Sequence, residues 1–182
     1  GCKTQTYGIV SDDRKDVCFL KHLYHARKIR NRVVECFERA SNLLSAVSDF
    51  DEEATNKKID ALLPFVVVGG GATSCEFTTE LSDFVSEDLS RWYPTLAPRV
   101  KVHLVEAGPQ ILNALDASLA GYYASFLEKR NVDLRTGVAV ESVGSPADDG
   151  GASSMILNDH DRTVLPFGLA VWSAGLAPVN FV

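Results

Sequence analysis

The chain contains little that would take it out of water. No apolar run approaches the roughly 20 residues needed to span a bilayer, and the amino end lacks the charged-then-apolar order of a secretory leader. The 182 residues are therefore expected to be soluble as they stand. The four cysteines, Cys2, Cys18, Cys36 and Cys75, form no Cys-x-x-Cys pair and no Cys/His cluster. That pattern speaks against a zinc site, a redox disulfide and a secreted disulfide framework, and leaves buried thiols in a reducing compartment. A basic stripe is also missing. With a net charge of −6, attraction to nucleic acid or anionic lipid is not expected, and the nearest basic cluster, Arg27 to Arg32, reads as the polar face of a helix. His22 and His25 have no carboxylate partner in ligand spacing, so no metal site is expected.

What remains is an ordinary globular composition, 46% apolar and 23% charged. It is enough for one large domain, or one domain with an appendage, burying about 70% of its unfolded surface.

The chain is organised around Pro64-Phe65-Val66-Val67-Val68-Gly69-Gly70-Gly71-Ala72-Thr73-Ser74-Cys75-Glu76. A β-branched run ending in glycines predicts a strand buried on both faces, a tight turn and then a helix. Glycines let a phosphate approach the backbone, and the positive end of the helix attracts it. The dinucleotide pattern wants glycine at the first, third and sixth positions of the turn, and the sixth here is Ser74. Val100 to Glu106 reads as a second buried strand tipped by an acid. Glu106 is placed to accept hydrogen bonds from an adenosine ribose and to repel a 2′-phosphate, which favours NADH over NADPH. It lies further from the glycines than the usual spacing of about 20 residues, because the helix between them, about Thr73 to Tyr93, is long. The plainer alternative is a tight strand-to-helix turn and an ordinary surface acid.

Around this unit, Gly1 to Val10 reads as a strand end and loop. A helix is expected from about Asp12, capped by Ser11 to Asp13, with an apolar stripe of Cys18, Phe19, Leu23, Ala26, Ile29, Val33, Cys36, Phe37 and Ala40. Lys21, Arg27, Lys28, Arg32, Glu35 and Arg39 lie opposite. Ser45 to Lys58 reads as a linker or mobile loop and the domain boundary. Pro94 and Pro98 end the long helix. A helix from Asp116 to Asn131 shows an apolar face of Leu119, Tyr122, Tyr123, Phe126 and Leu127, and Val132 to Arg135 is the third parallel strand. Val138 to Val143, Ser154 to Leu157 and Thr163 to Pro166 read as short strands, with turn chemistry from Gly144 to Gly151. Phe167 to Gly175 is an apolar strand ending in small residues, which brings backbone close to a crevice at the sheet's carboxyl edge or simply ends the strand.

Phe65 to Leu81, Val105-Glu106-Ala107, Arg135-Thr136-Gly137 and Val171 to Gly175 resemble the NADH-binding half of the type II (alternative) NADH dehydrogenases, within the pyridine nucleotide-disulfide oxidoreductase superfamily. Tyr7-Gly8-Ile9, Phe19-Leu20-Lys21, Ala26 to Arg30 and Cys36 to Ser41 resemble that family too. The resemblance implies an α/β fold: a Rossmann-like NADH-binding domain (64–175), with a parallel sheet and a small antiparallel β-meander. Before it would come a helical piece of the FAD domain (1–63), and after it a return toward that domain (176–182). The chain looks like a fragment of a peripheral mitochondrial inner-membrane enzyme passing hydride from NADH to FAD and electrons to a quinone, with membrane contact and the rest of the FAD domain supplied by other segments. NADH would be held by Gly69, Gly70, Gly71, Ala72, Thr73, Ser74, Glu106, Ala174 and Gly175. Glu76 would sit near the flavin, nicotinamide and quinone junction, orienting cofactors or moving protons, unless it is only an acid complementing the helix dipole. The family's turn usually reads Gly-Gly-Gly-Pro-Thr-Gly-Val-Glu, so Ala72 replaces a proline and Ser74 a glycine. Its Trp-Ala-Thr-Gly becomes Trp172-Ser173-Ala174-Gly175. These departures motivate an alternative, a non-catalytic relative serving as a structural subunit of a larger assembly. A disulfide reductase of the same architecture would need a paired redox cysteine motif, which this sequence does not contain.

Overall fold

In the computed structural model, which describes residues 2–10, 14–46, 52–145 and 152–178, the alternation in Phe65-Val66-Val67-Val68 is resolved into two cores. β3 (Pro64–Val68) is buried along its whole length. Phe65 and Val67 face one core, and Val66 and Val68 the other. Successive strand residues point to opposite faces, so an unbroken apolar strand needs a layer on each side.

β3 sits at the middle of a five-stranded parallel sheet of order β2-β9-β3-β4-β5. Its members are β2 (Val17–Phe19), β4 (Lys101–Glu106), β5 (Val132–Thr136) and β9 (Leu169–Trp172). Helices cover one face: α1 (Leu23–Ser45), α2 (Glu52–Leu62), α3 (Ala72–Asp83) and α5 (Ala117–Glu128) all place residues in the core with Phe65 and Leu104. The other face carries an antiparallel meander of β6 (Val140–Gly144), β7 (Ser153–Leu157) and β8 (Val164–Phe167). Met155, Leu157 and Phe167 from the meander are fully buried against Val66, Val105 and Ala170. A separate pair, β1 (Cys2–Thr4) with β10 (Leu176–Pro178), runs antiparallel. The α/β architecture and the meander are as the sequence predicts.

Several local expectations are corrected. The first helix begins at Leu23, with His22 as its cap residue, and not near Asp12; residues 11–13 lie outside the described residues. Val17-Cys18-Phe19 instead pairs in parallel with Ala170 to Trp172, a partner too distant in sequence to leave a local signal. Leu23 is 75% exposed and leaves the stripe, whereas Ile29, Val33, Cys36, Phe37 and Ala40 form it as expected. Arg32, placed on the polar face by spacing, lays its guanidinium on the Gly168 carbonyl (3.0 Å).

The expected loop at Ser45 to Lys58 contains most of the first two turns of α2, with Glu52 and Glu53 favouring its positive end; residues 47–51 lie outside the described residues. β2 and α1 share the sheet and the core with the segment after residue 63.

The long helix after the glycines does run to Trp92, ahead of Pro94. It widens into a π turn at Phe84–Leu89 and recovers as α4 (Ser90–Trp92). Within it the Ser86 hydroxyl bonds the Asp83 carbonyl (3.2 Å) and Ser90 bonds Ser86 (2.6 Å), local bonds that compete with the helical ladder. Asp116 caps α5 through the Ser118 N–H (2.8 Å). The buried face of that helix is Ala120 and Leu127 flanked by Tyr123 and Ala124, while Leu119 and Tyr122 are exposed.

One ion-pair cluster ties the layers. Arg14 binds Asp16 through Nε (3.1 Å) and reaches the Gly144 carbonyl of the meander (2.7 Å). The Asp16 carbonyl in turn accepts the N–H of Ala170 in β9 (2.9 Å).

Candidate nucleotide site

The sheet runs outward from β3 through β4 to β5, then returns to the other side of β3 with β9. Open α/β sheets bind ligands where the strand order reverses, outside the carboxyl ends of the strands. A cleft of about 480 Å³ lies there, lined by Gly69, Gly70 and Gly71 after β3, Glu106 and Ala107 after β4, and Trp172 to Gly175 after β9.

The glycines are needed for separate reasons. Gly69 has φ +113°, and a Cβ there would stand 2.9 Å from the Ala174 main-chain nitrogen. A Cβ on Gly70 would meet Glu106 Cγ at 2.7 Å. Nothing lies within 4 Å of a Cβ at Gly71, the cap residue of α3, and no side chain caps that helix. The Gly69 N–H is taken by the Val105 carbonyl (2.8 Å) and the Gly70 N–H by Glu106 Oε2. The N–H groups of the first turn of α3 have no carbonyl within the helix, so the donors facing an anion begin after Gly70.

Glu106 holds the turn as well as facing the cleft. Its Oε1 accepts the Gly108 N–H (2.6 Å) while Oε2 accepts that of Gly70. Each carboxylate oxygen has two lone pairs, so both can still accept from a ligand hydroxyl. Among the described residues that line the cleft there is no Lys or Arg, and Glu106 is the one charged member. Cys75 lies beneath the turn, its Sγ 3.7 Å from the Gly70 carbonyl. Burial first, and then the charges of Glu106 and Glu76, push its thiol up to about 11, so it stays protonated and unreactive.

The structure gathers Gly69, Gly70, Gly71, Glu106, Ala174 and Gly175 around one cleft. Ala72 lines a smaller neighbouring hollow of about 270 Å³ with Glu106 and residues 112–115. Thr73 is exposed at the start of α3 and lines neither. Ser74 is buried and turned inward, its Oγ 2.6 Å from that of Ser173. Glu76 is exposed on α3 and does not line the cleft. Sequence reasoning missed Tyr7, Ile9 and Val138 to Val140, which complete the walls. Tyr7 and Gly8 turn there with φ of 53° and 75°; Gly8 carries a hint of this, Tyr7 none.

The sequence pattern of the pyridine nucleotide-disulphide oxidoreductase family matches residues 9–181. The chain belongs to this family. Within it, a probable NADH dehydrogenase of Dictyostelium discoideum is 41% identical over 177 residues, covering 97% of this chain and 35% of that protein. The mitochondrial external NADH-ubiquinone oxidoreductase 2 of Saccharomyces cerevisiae is 34% identical over 181 residues, 100% of this chain and 30% of that protein. The solved structure of NDH2 from Plasmodium falciparum in complex with NADH superposes with a TM-score of 0.82 at 24% identity, over 98% of this chain and 34% of that one. The chain thus spans about a third of the length of the relatives it matches. Like other members of this family it is α/β, and its described cysteines, Cys18, Cys36 and Cys75, are buried free thiols.

Proposed function

We propose that this chain is the NADH-binding region of a mitochondrial FAD-dependent NADH:quinone oxidoreductase. One observation carries the reading: a glycine turn opening an uncapped helix, pinned by the acid at the end of the neighbouring strand, at the reversal point of a parallel sheet. The pyrophosphate would lie against Gly69 to Gly71, close because no Cβ intervenes, and accept from the first N–H groups of α3. Glu106 would receive the adenosine ribose hydroxyls and repel a 2′-phosphate, with no cation among the described cleft residues to meet one. Residues 172–175 would carry the nicotinamide half.

NADH would supply the hydride and FAD, held by the full protein, would take it up, while the residues of this chain would orient the dinucleotide and exclude water. Glu76, exposed on α3, would act only where the remaining FAD domain covers it. Quinone reduction rests on the likeness to the mitochondrial NADH-ubiquinone oxidoreductases, and peripheral attachment to the inner membrane and a return of the chain toward the FAD domain after residue 175 belong to the same proposal; no described helix is long and apolar enough to cross a membrane.

Calorimetric titration of the chain with NADH and NADPH tests the binding reading. NADH is expected to bind at least tenfold more tightly. A folded protein that gives no heat with NADH, or prefers NADPH, overturns it.

A further inference from the structure

Two serines, one in the first turn of α3 and one just after β9, face each other. We infer that Ser74 and Ser173 form a hydroxyl clasp that positions the end of β9 beneath the nicotinamide half of the bound dinucleotide. The inference rests on the dinucleotide reading above.

Ser74 is 1% exposed and lies behind the cleft, whereas Ser173 lines it. Their oxygens are 2.6 Å apart. The Ser173 N–H donates to the Val68 carbonyl (3.0 Å), and its hydroxyl points at the same oxygen (3.4 Å). If Ser173 gives its proton there, Ser74 donates to Ser173 and both hydroxyls are satisfied. The Ser74 carbonyl is itself fixed by the Thr78 hydroxyl (2.7 Å). Three segments are thereby joined: the end of β3, the first turn of α3 and the end of β9.

The joint stands where main chains crowd, since a Cβ on Gly69 would be 2.9 Å from the Ala174 nitrogen. Glu106, at the end of β4, lies on the opposite side of β3. A dinucleotide with its adenosine ribose at Glu106 and its pyrophosphate at the turn extends its nicotinamide half over Ser173 to Gly175. Glycine at position 74 or alanine at position 173 has no side-chain oxygen and could not make this bond. Ser74 is thus a positioning residue, acting through Ser173.

The test compares NADH with ADP-ribose, which lacks only the nicotinamide, by calorimetry and nicotinamide fluorescence on the wild-type chain, Ser74→Gly, Ser173→Ala and the double variant. Each single change is expected to raise the NADH Kd about 3- to 10-fold, the range of one neutral hydrogen bond, and to alter the bound fluorescence. The ADP-ribose Kd should stay within about twofold, and the double variant should bind NADH like the weaker single one, because both changes remove one bond. Equal losses for the two ligands, additive losses, or an unchanged NADH Kd overturn the inference. If Ser74→Gly does not fold, the Ser173→Ala comparison of the two ligands decides alone. Failure of the wild-type chain to bind ADP-ribose overturns the dinucleotide reading itself, and the clasp with it.

Discussion

Replacing Glu106 by glutamine changes one atom at a point where both carboxylate oxygens accept main-chain N–H groups, Oε2 from Gly70 and Oε1 from Gly108 at 2.6 Å. Glutamine offers a single acceptor oxygen, so in either orientation its NH2 confronts one of those N–H donors. The lost charge-assisted bond and the opposed donor together cost about 1–3 kcal/mol. Glu106 is half-exposed, and water relieves part of this, so about 1.5 kcal/mol is expected. In a chain of this length that corresponds to a fall in Tm of about 3–6 °C.

Binding should suffer separately. A ribose hydroxyl bonded to a charged acceptor contributes about 1.5–3 kcal/mol, so NADH affinity should fall about 10- to 150-fold. The 2′-phosphate of NADPH no longer meets a negative charge, so the ratio of the two Kd values should move toward unity. Thermal melting and calorimetry with both nucleotides read the two effects independently. A folded Glu106→Gln protein with an unchanged NADH/NADPH ratio would refute the role given to this carboxylate.

The glycines of the turn should separate by thermal melting. Gly69→Ala combines φ +113° with a backbone contact at 2.9 Å and is expected to cost more than about 2 kcal/mol, whereas Gly71→Ala, facing open space, should melt within about 2 °C of wild type; similar melting of the two would contradict this geometry. For Asp16, burial opposes ionisation, but hydrogen bonds from Arg14 and Ser153 outweigh it and hold the carboxyl below its ordinary value of 3.8. A depressed carboxyl stabilises the fold above its unfolded value and loses that contribution as pH falls through the folded one. Asp16→Asn should therefore lower stability by about 1–3 kcal/mol at neutral pH and flatten the fall in Tm below pH 3.8; an unchanged acid limb in pH-dependent melting would count against it.

Legibility in the sequence followed the range of the interactions. β3, the acid-tipped β4, the Asp116 cap and the meander strands are written in residues adjacent in the chain, and the structure holds them where the spacing predicts. Local spacing assigns β2 to the start of a helix, because Val17-Cys18-Phe19 gains its strand partner only from Ala170 to Trp172. α2 is hidden in a polar stretch because only Ile59 and Leu62 of its residues are buried, although Glu52 and Glu53 at its positive end are a usable signal. On α5, helical spacing counted Leu119 and Tyr122 as inward and could not register that the core reaches only as far as Ala120, Tyr123 and Leu127. At the site, the glycines and Glu106 were legible as types. That Glu106 also holds the turn, and that Ser74 turns to Ser173, depends on contacts across 36 and 99 positions of the chain.

The place of β9 between β2 and β3 governs how the molecule assembles. The unit from β3 through α3 to β5 joins strands that follow one another in the chain and can form early, whereas β2 has no neighbour until a strand about 150 residues later arrives, at an entropic cost that grows with the logarithm of that span. Until then two strand edges, those of β2 and β3, stand bare with an apolar slot between them, and such edges are templates for pairing with other chains. The last strand of the sheet to be synthesised is therefore its keystone: its arrival seals the exposed edges and, in the same step, brings Trp172 to Gly175 to the mouth of the cleft. A chain arrested before residue 169 would lack both its protection from aggregation and one wall of its binding site.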